Sequence, residues 1–177
     1  MRSFILLFLA SALAAQADWV TLFNGKDFTN FGAPGKTEQN GYSVKDGVIE
    51  SGAKSSTLMT EKQYADYILE LEFQLTPGAN NGLGIHYPGT GNPAYTGMEL
   101  QILDNSAKKY EKLKDFQFHG SLYSLQPALR GHLKPVGEWN EQRVTCRGAR
   151  VTVELNGVCI LDADLDAVNK AHPKHAG

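Results

Sequence analysis

The chain has 177 residues, of which 42% are hydrophobic and 20% are charged, so it is long enough for a globular domain and is not a disordered sequence. Its formal net charge is −2, and its 17 basic residues form no long run. This composition argues against a nucleic acid or an anionic membrane as the main partner.

Residues 1–17 have the pattern of a secretory signal peptide. Arg2 precedes an apolar run from Phe4 to Leu9, and small residues lead to a cleavage motif that ends at Ala17. The apolar run is too short to span a bilayer, so we expect no membrane anchor. We therefore predict an exported protein, periplasmic or secreted, with one domain over residues 18–177.

The rest of the chain consists of short alternating segments separated by turn residues. In the clearest predicted strand, 67–75, alternate apolar side chains share one face. Further strands are predicted over 82–87, 97–104, 120–125 and 140–148, a turn of helix or a loop over 106–115, and a short helix over 161–170. Many short strands with little helix predict an all-β antiparallel sandwich or barrel.

The two cysteines, Cys146 and Cys159, are predicted to lie on the outer two of three consecutive strands. Turns at 148–149 and 156–157 join these strands, and Asn-Gly at the second turn is typical of a hairpin. The middle strand would hold the cysteines roughly 10 Å apart, whereas a disulfide tolerates a Cα separation of about 7 Å. We expect two free, mostly buried thiols.

The segment GMELQILDN (97–105) carries the first group of candidate site residues. Glu99 and Gln101 share one face of the predicted strand, opposite an apolar face, and Asp104 follows. Such alternation fits either a solvated face or a face that lines a binding site.

Three other polar positions are candidates. His86 would share a strand face with Gly82 and Gly84, whose missing side chains leave space for a ligand or mark a bulge. His119 precedes the predicted strand at 120–125. Glu72 belongs either to the site or, as is commoner for alternating charges, to a solvated outer face.

Five blocks of the sequence resemble, in order, those of the 3-keto-disaccharide hydrolase family: TLFNGKDFTNF, YADYILELEFQLTPGANNGLGIHYP, TGMELQILDN, HGSLYSL and KPVGEWNEQRVTCRGARVTVELNGVCILDADL. The resemblance covers residues 19–170. It implies a concanavalin A-like jelly-roll sandwich, similar to laminin-G domains, whose concave sheet binds a sugar. It also implies cleavage of glycosides that carry a ketone at C3. Where the family has Asn-Ser-Gly and then an Arg, this chain has Asn80-Asn81-Gly82 and His86. The family pattern continues by two strands beyond the position of Gly177, so we expect this chain to be truncated.

The resemblance implies roles for the candidate residues. A C3 ketone acidifies the proton on C2, so a base can remove it and expel the C1 substituent, after which water adds to the enone. This route needs a general base, a donor or a divalent metal at the enolate oxygen, and an acid. The roles are Glu99 or His119 as the base, Gln101 or His86 as the oxyanion donor, Asp104 as an orienting residue or metal ligand, and Tyr123 as a sugar-stacking ring with a hydroxyl.

Two alternatives stay open at this point. The same fold serves non-catalytic carbohydrate-binding or adhesion modules, which need polar contacts but no tuned base. An endo-glucanase of related fold ranks lowest, because Glu99-x-Gln101 replaces the closely spaced strand carboxylates typical of such enzymes.

Overall fold

The computed structural model of the protein describes residues 18–172, so the predicted signal peptide lies outside the described residues. Contacts within the chain group it into two compact units, one ending at Lys62 and the other beginning at Gln63. All paired strands described are antiparallel, which confirms the all-β class. The prediction of a single domain over 18–177 stays a prediction. No helix within residues 18–172 is long and apolar enough to cross a membrane.

The first unit contains one three-stranded sheet with the order β1-β2-β3. Its strands are β1 (Glu38–Gln39), β2 (Tyr42–Lys45) and β3 (Val48–Ser51). Asp46 and Gly47 join β2 to β3 with φ angles of 50° and 79°. Positive φ at both central positions is the geometry of a tight hairpin turn, in which Gly is free of steric penalty.

The second unit contains two sheets. Its elements are β4 (Tyr67–Gln74), β5 (Asn80–Ile85), α1 (Pro93–Thr96), β6 (Met98–Leu103), β7 (Trp139–Arg147), β8 (Arg150–Leu155), β9 (Val158–Asp164) and α2 (Leu165–Ala171). One sheet has the order β4-β7-β8-β9, and the other pairs β5 with β6.

A shared core packs these two sheets against each other as a sandwich. Met98 and Leu100 of β6 belong to the same buried cluster as Val144 of β7 and Val151 and Val153 of β8. Four of these side chains are fully buried and Met98 is nearly so. Because side chains of a strand alternate, burying this face of β6 turns Glu99 and Gln101 away from the core.

The cysteines are both free, as predicted, because β8 separates β7 from β9. Cys146 is buried, but Cys159 is exposed, which corrects the expectation of two mostly buried thiols. The physical reason is a register shift in the β8–β9 pairing, where Val153 faces Leu161 but Glu154 faces Cys159. This bulge buries Ile160 and Leu161 in succession and places Cys159 on the outer face.

Three predicted elements differ from the structure. The strand predicted over 82–87 is β5, which ends at Ile85. The segment 120–125 forms no full strand but pairs with β6 through an isolated Leu100–Leu122 bridge. The segment 106–115, predicted as a turn of helix or a loop, contains the 3₁₀ turn Lys108–Tyr110 and the start of a second, Asp115–Gln117, in agreement with that prediction. The helix predicted over 161–170 is α2, which begins only at Leu165 because 161–164 belong to β9. The Asp164 carboxylate caps it by accepting hydrogen bonds from Asp166 N and Ala167 N.

Candidate functional site

A polar cavity of about 270 Å³ lies over the outer face of β6. Glu99 and Gln101 of the predicted site line it together with Tyr123. Amide and phenol groups make up most of the remaining lining, which is formed by Asn80, Asn92, Ala94, Tyr95, Tyr110, Leu113 and Gln117. Such groups are suited to a neutral ligand that is rich in hydroxyls.

Glu99 is the carboxylate of the cavity. Its side chain lies over the backbone of β5, where a Cβ added at Gly82 would overlap it. The sequence suggested that Gly82 and Gly84 leave space for a ligand; at Gly82 the carboxyl group of Glu99 fills that space. Burial raises the pKa of the Glu99 carboxyl above its ordinary value, because desolvation disfavours the charged form.

Gln101 is buried and lies beside Glu99 on the same face. Its amide is within 3.2 Å of Asn80 Oδ1, and with the amide nitrogen turned the other way it lies 3.3 Å from Glu99 Oε1 and 3.2 Å from the Asn81 carbonyl oxygen. In that orientation it donates to the carboxylate. The amide can therefore donate either to Glu99 and Asn81, or to Asn80 with one N–H left for a ligand.

The segment 120–123 builds one wall of the cavity by running along the free edge of β6. Gln101 N donates to Ser121 O at 3.0 Å, Gly120 N donates to Gln101 O at 2.8 Å, and Tyr123 N donates to Glu99 O at 2.8 Å. These bonds fix Tyr123 next to Glu99. Gln117 accepts from Lys114 N through Oε1 at 3.1 Å and donates from Nε2 to the Tyr123 hydroxyl at 3.2 Å.

The Gly- and Pro-rich loop at 88–97 forms the opposite rim. It contains α1, which begins after the Asn92 side chain accepts a hydrogen bond from Ala94 N at 3.0 Å. Tyr95 on this short helix is 57% exposed while lining the cavity, so its ring stands at the entrance.

His119, a candidate base, lies elsewhere in the second unit. It is buried and stacks on Phe73 of β4, with ring centroids 5.1 Å apart. Nδ1 accepts from Leu103 N at 3.4 Å, so Nε2 carries the proton that Gln142 Oε1 accepts at 3.1 Å. Burial lowers the pKa of His119 to about 4, against the opposing effect of Gln142. The side chain does not line the cavity, so we assign it no catalytic role.

Asp104 ties two turns together and does not line the cavity. Its Oδ2 accepts from Gly78 N at 2.7 Å, and its Oδ1 accepts from Ser106 N at 2.9 Å and from the Ser106 hydroxyl at 2.6 Å. Burial alone would raise the pKa of Asp104, but the hydrogen bonds from Ser106 and Gly78 lower it below its ordinary value. Its contacts are those of a structural residue.

The other two candidates are on the surface. His86 follows the end of β5 with φ of 49° and is exposed, so it is not on a strand face with Gly82 and Gly84. Glu72 is on the exposed face of β4, directly opposite Glu141 of β7. The neighbouring Glu70 forms an ion pair with Arg143 on that same face. This is the solvated outer face that the sequence left as the alternative.

The residues described bring no metal-binding group together. Within 18–172 there is no cluster of three or more His, Cys, Asp or Glu side chains that could hold a metal ion. Glu99 is the one acidic residue among the described residues that line the cavity. Asn and Gln carbonyl oxygens can ligate Ca²⁺, but the described lining offers them with a single carboxylate, so we derive no step through a metal ion.

Five lining residues with polar side chains were not singled out in the sequence: Asn80, Asn92, Tyr95, Tyr110 and Gln117. Asn80 could have been found, because it begins a strand next to the glycines and is in register with Leu103 of β6. The other four lie in helical turns and loops. No strand periodicity marks them.

Comparisons with known proteins identify the family to which the chain belongs. The family model of the 3-keto-alpha-glucoside-1,2-lyase-like domain matches residues 18–176. The chain is 30% identical over 179 residues to the "3-keto-disaccharide hydrolase" of Bacteroides thetaiotaomicron, with 86% of this chain and 61% of that protein covered. The chain thus spans about three fifths of this relative's length.

Two crystal structures from Parabacteroides distasonis, each described as a "putative glycosyl hydrolase", are also similar. The first has 30% sequence identity to this chain and a TM-score of 0.68, and the match covers 81% of this chain and 70% of the chain in that structure. The second has 29% sequence identity and a TM-score of 0.65, and the match covers 70% of this chain and 62% of the chain in that structure.

Proposed function

Because the chain belongs to the 3-keto-alpha-glucoside-1,2-lyase-like domain family, we propose that it cleaves glycosides whose sugar carries a ketone at C3. The observation that carries this proposal is the cavity over β6, where one half-buried carboxylate faces a lining of amides and phenols. The curated relative named as a 3-keto-disaccharide hydrolase supports the same substrate class.

The proposed reaction begins with removal of the proton on C2, which the adjacent C3 ketone makes acidic. The C–H electron pair forms the enolate, whose collapse makes a C1–C2 double bond and breaks the bond from C1 to the leaving oxygen. The leaving oxygen takes up a proton, and water then adds across the enone. The net change is hydrolysis of the glycosidic bond.

Glu99 is the residue we assign as the general base. Proton transfer is most effective when the pKa of the base approaches the working pH, and burial moves the pKa of this carboxyl upward in that direction. The carboxyl also lines the cavity directly, so a bound sugar can reach it.

The neighbouring donors would stabilise the enolate oxygen. In the orientation that donates to Asn80, Gln101 keeps one amide N–H for the ligand, and Tyr123 presents a hydroxyl that accepts from Gln117. Preorganised donors near developing negative charge are typically the largest contribution to such catalysis. We assign Gln101 and Tyr123 to this role.

The single cavity carboxylate favours elimination over ordinary glycoside hydrolysis. Retaining and inverting glycosidases use two carboxyl groups roughly 5–9.5 Å apart on either side of the bond. Among described residues lining this cavity, Glu99 has no acidic partner. One base with several hydrogen-bond donors is the set that the elimination needs.

The first experiment incubates the purified full chain with 3-keto-trehalose and, separately, with trehalose, and follows the release of free sugar. We expect cleavage of the keto sugar alone. Glu99→Gln should lower kcat/KM by about 10²- to 10⁴-fold, the usual contribution of a general base. Wild-type kcat/KM should also fall as the pH drops through the pKa of Glu99, because the protonated carboxyl cannot accept the proton.

The matched control is Glu72→Gln, which makes the same change on the exposed face of β4 and should leave turnover unchanged. Equal activity of Glu99→Gln and wild type would remove Glu99 as the base. If the folded protein binds the keto sugar without cleaving it, the non-catalytic binding module becomes the better interpretation.

A further inference from the structure

Gly82 in β5 is the position over which the Glu99 side chain folds. A Cβ at residue 82 would overlap Oε1 and Cδ of Glu99 and lie 2.5 Å from its Cγ. In the strand register Glu99 is opposite Gly84 and Gly82 is opposite Gln101. The Glu99 side chain therefore crosses diagonally from β6 onto the backbone of β5 at the residue that faces Gln101.

The backbone at Gly82 does not itself require glycine. Its φ lies outside the left-handed region, unlike that of Gly78 at 71°. Glycine in the interior of a strand normally weakens the strand, because it adds conformational entropy to the unfolded chain and offers no side chain to pack. The feature that glycine provides here is room for the carboxyl group.

We propose that Gly82 is a positioning residue for the general base: its bare backbone supports the Glu99 carboxyl group, with the Gln101 amide beside it. The inference rests on the proposed function of Glu99. Gly82 touches no substrate in this account, and it acts only through the placement of that side chain. Any side chain at residue 82 would push the carboxyl group off the backbone of β5.

The groups around Glu99 determine how such a displacement would change its pKa. No basic residue is among the described residues that line the cavity with Glu99, whose polar members are the amides of Asn80, Asn92, Gln101 and Gln117 and the phenols of Tyr95, Tyr110 and Tyr123. Burial is therefore the main influence on its protonation. Moving the carboxyl group toward water should reduce the desolvation and lower the pKa of Glu99.

The test compares Gly82→Ala with Gly84→Ala. Both replace a glycine on the same face of β5, but a Cβ at residue 84 would meet only ordinary or slightly tight contacts, the nearest being Pro93 Cβ at 3.3 Å. We expect Gly82→Ala to lower kcat/KM on 3-keto-trehalose by about 10- to 100-fold, since a misplacement of about 1 Å can have that effect. The acidic limb of its pH profile should move to lower pH, while Gly84→Ala keeps the wild-type limb.

Equal activity and equal pH profiles of the two variants would overturn the inference while leaving the proposed function intact. Failure of the proposed function has a different signature, namely no cleavage of 3-keto-trehalose by the folded wild type, and unchanged turnover in Glu99→Gln would remove the base on which the inference rests. If Gly82→Ala folds poorly, the melting temperatures of Gly82→Ala and of the double variant with Glu99→Ala provide the test. Adding Glu99→Ala should then restore its melting temperature, because the overlapping atoms are gone, and a failure to restore it would also overturn the inference.

Discussion

At the scale of single residues, burial gives Glu99 and His119 opposite tendencies. Desolvation raises the pKa of the carboxylic acid and lowers that of the imidazole, so both are pushed toward their neutral forms. The surroundings of each group determine whether it can react. Glu99 is open to a cavity, where its carboxyl group can exchange a proton with a ligand, whereas His119 is enclosed by Phe73 and Gln142 and exchanges none with a ligand.

His119 makes the stability of the fold dependent on pH. Its pKa is about 4 in the folded protein and near 6.5 in the unfolded chain, so the unfolded state takes up a proton first as the pH falls. The stability present above pH 6.5 is therefore lost progressively between 6.5 and 4. The slope should approach about 1.4 kcal/mol per pH unit.

Urea unfolding at a series of pH values measures this slope. His119→Gln should be less stable at pH 7 and should lack this part of the pH dependence. His86→Asn is the control, because His86 is exposed and Asn tolerates its positive φ. A slope in His119→Gln equal to that of wild type would contradict the prediction.

At the scale of elements, Asp104 joins the turn after β4 to the turn after β6. Three hydrogen bonds from Gly78 and Ser106 converge on its carboxylate. Asp104→Ala should lower the free energy of unfolding by about 2–4 kcal/mol, because it leaves inward-facing donors without a partner. Since the folded pKa is lowered, the wild-type contribution should be present above pH 3.8 and lost as the pH falls through the folded pKa.

Asp162→Ala provides the comparison for Asp104. Asp162 pairs with Arg150 on the surface, and an exposed ion pair typically contributes less than about 1 kcal/mol. Similar losses in the two variants, measured by urea unfolding, would show that Asp104 is not a structural anchor.

Element prediction succeeded where the pattern was strictly local. The alternation of β4 and the Asn-Gly turn between β8 and β9 depend only on neighbouring residues in the sequence, and both are confirmed. The segment 120–125 alternates in the same way, yet only its first residues pair with β6. Ser124 with φ of 63° then turns the chain away. Such a departure depends on distant contacts and leaves no periodic signal.

At the scale of the whole molecule, the sequence predicted the side of β6 on which the cavity lies but not its walls. Glu99, Gln101 and Tyr123 lie together as one cluster, because all three belong to β6 or to the segment that pairs with it. Four other candidates, His86, His119, Asp104 and Glu72, do not line the cavity. The polarity of these four side chains can be seen in the sequence, but the direction in which each side chain points depends on where the strands end and how the sheets pack.

The two thiols report on the integrity of the sandwich. Cys146 is buried on β7, one of the two inner strands of its sheet, where burial raises its pKa, and Cys159 is exposed on β9. A small aromatic disulfide reagent should therefore modify one thiol rapidly in the native protein and both in denaturant, because the thiolate is the reactive form. Rapid modification of both in the native protein would show that the core opens readily.

The pairing of residues 120–123 with β6 has a consequence for the protein in a crowded solution. An uncovered strand edge presents rows of unpaired N–H and C=O groups that can recruit a strand from another molecule. The three hydrogen bonds to Glu99 and Gln101 occupy these groups on β6. The segment 120–123 therefore both forms a wall of the cavity and covers an edge that could otherwise pair with another molecule. Substitutions that weaken its pairing with β6 should reduce solubility and catalysis together.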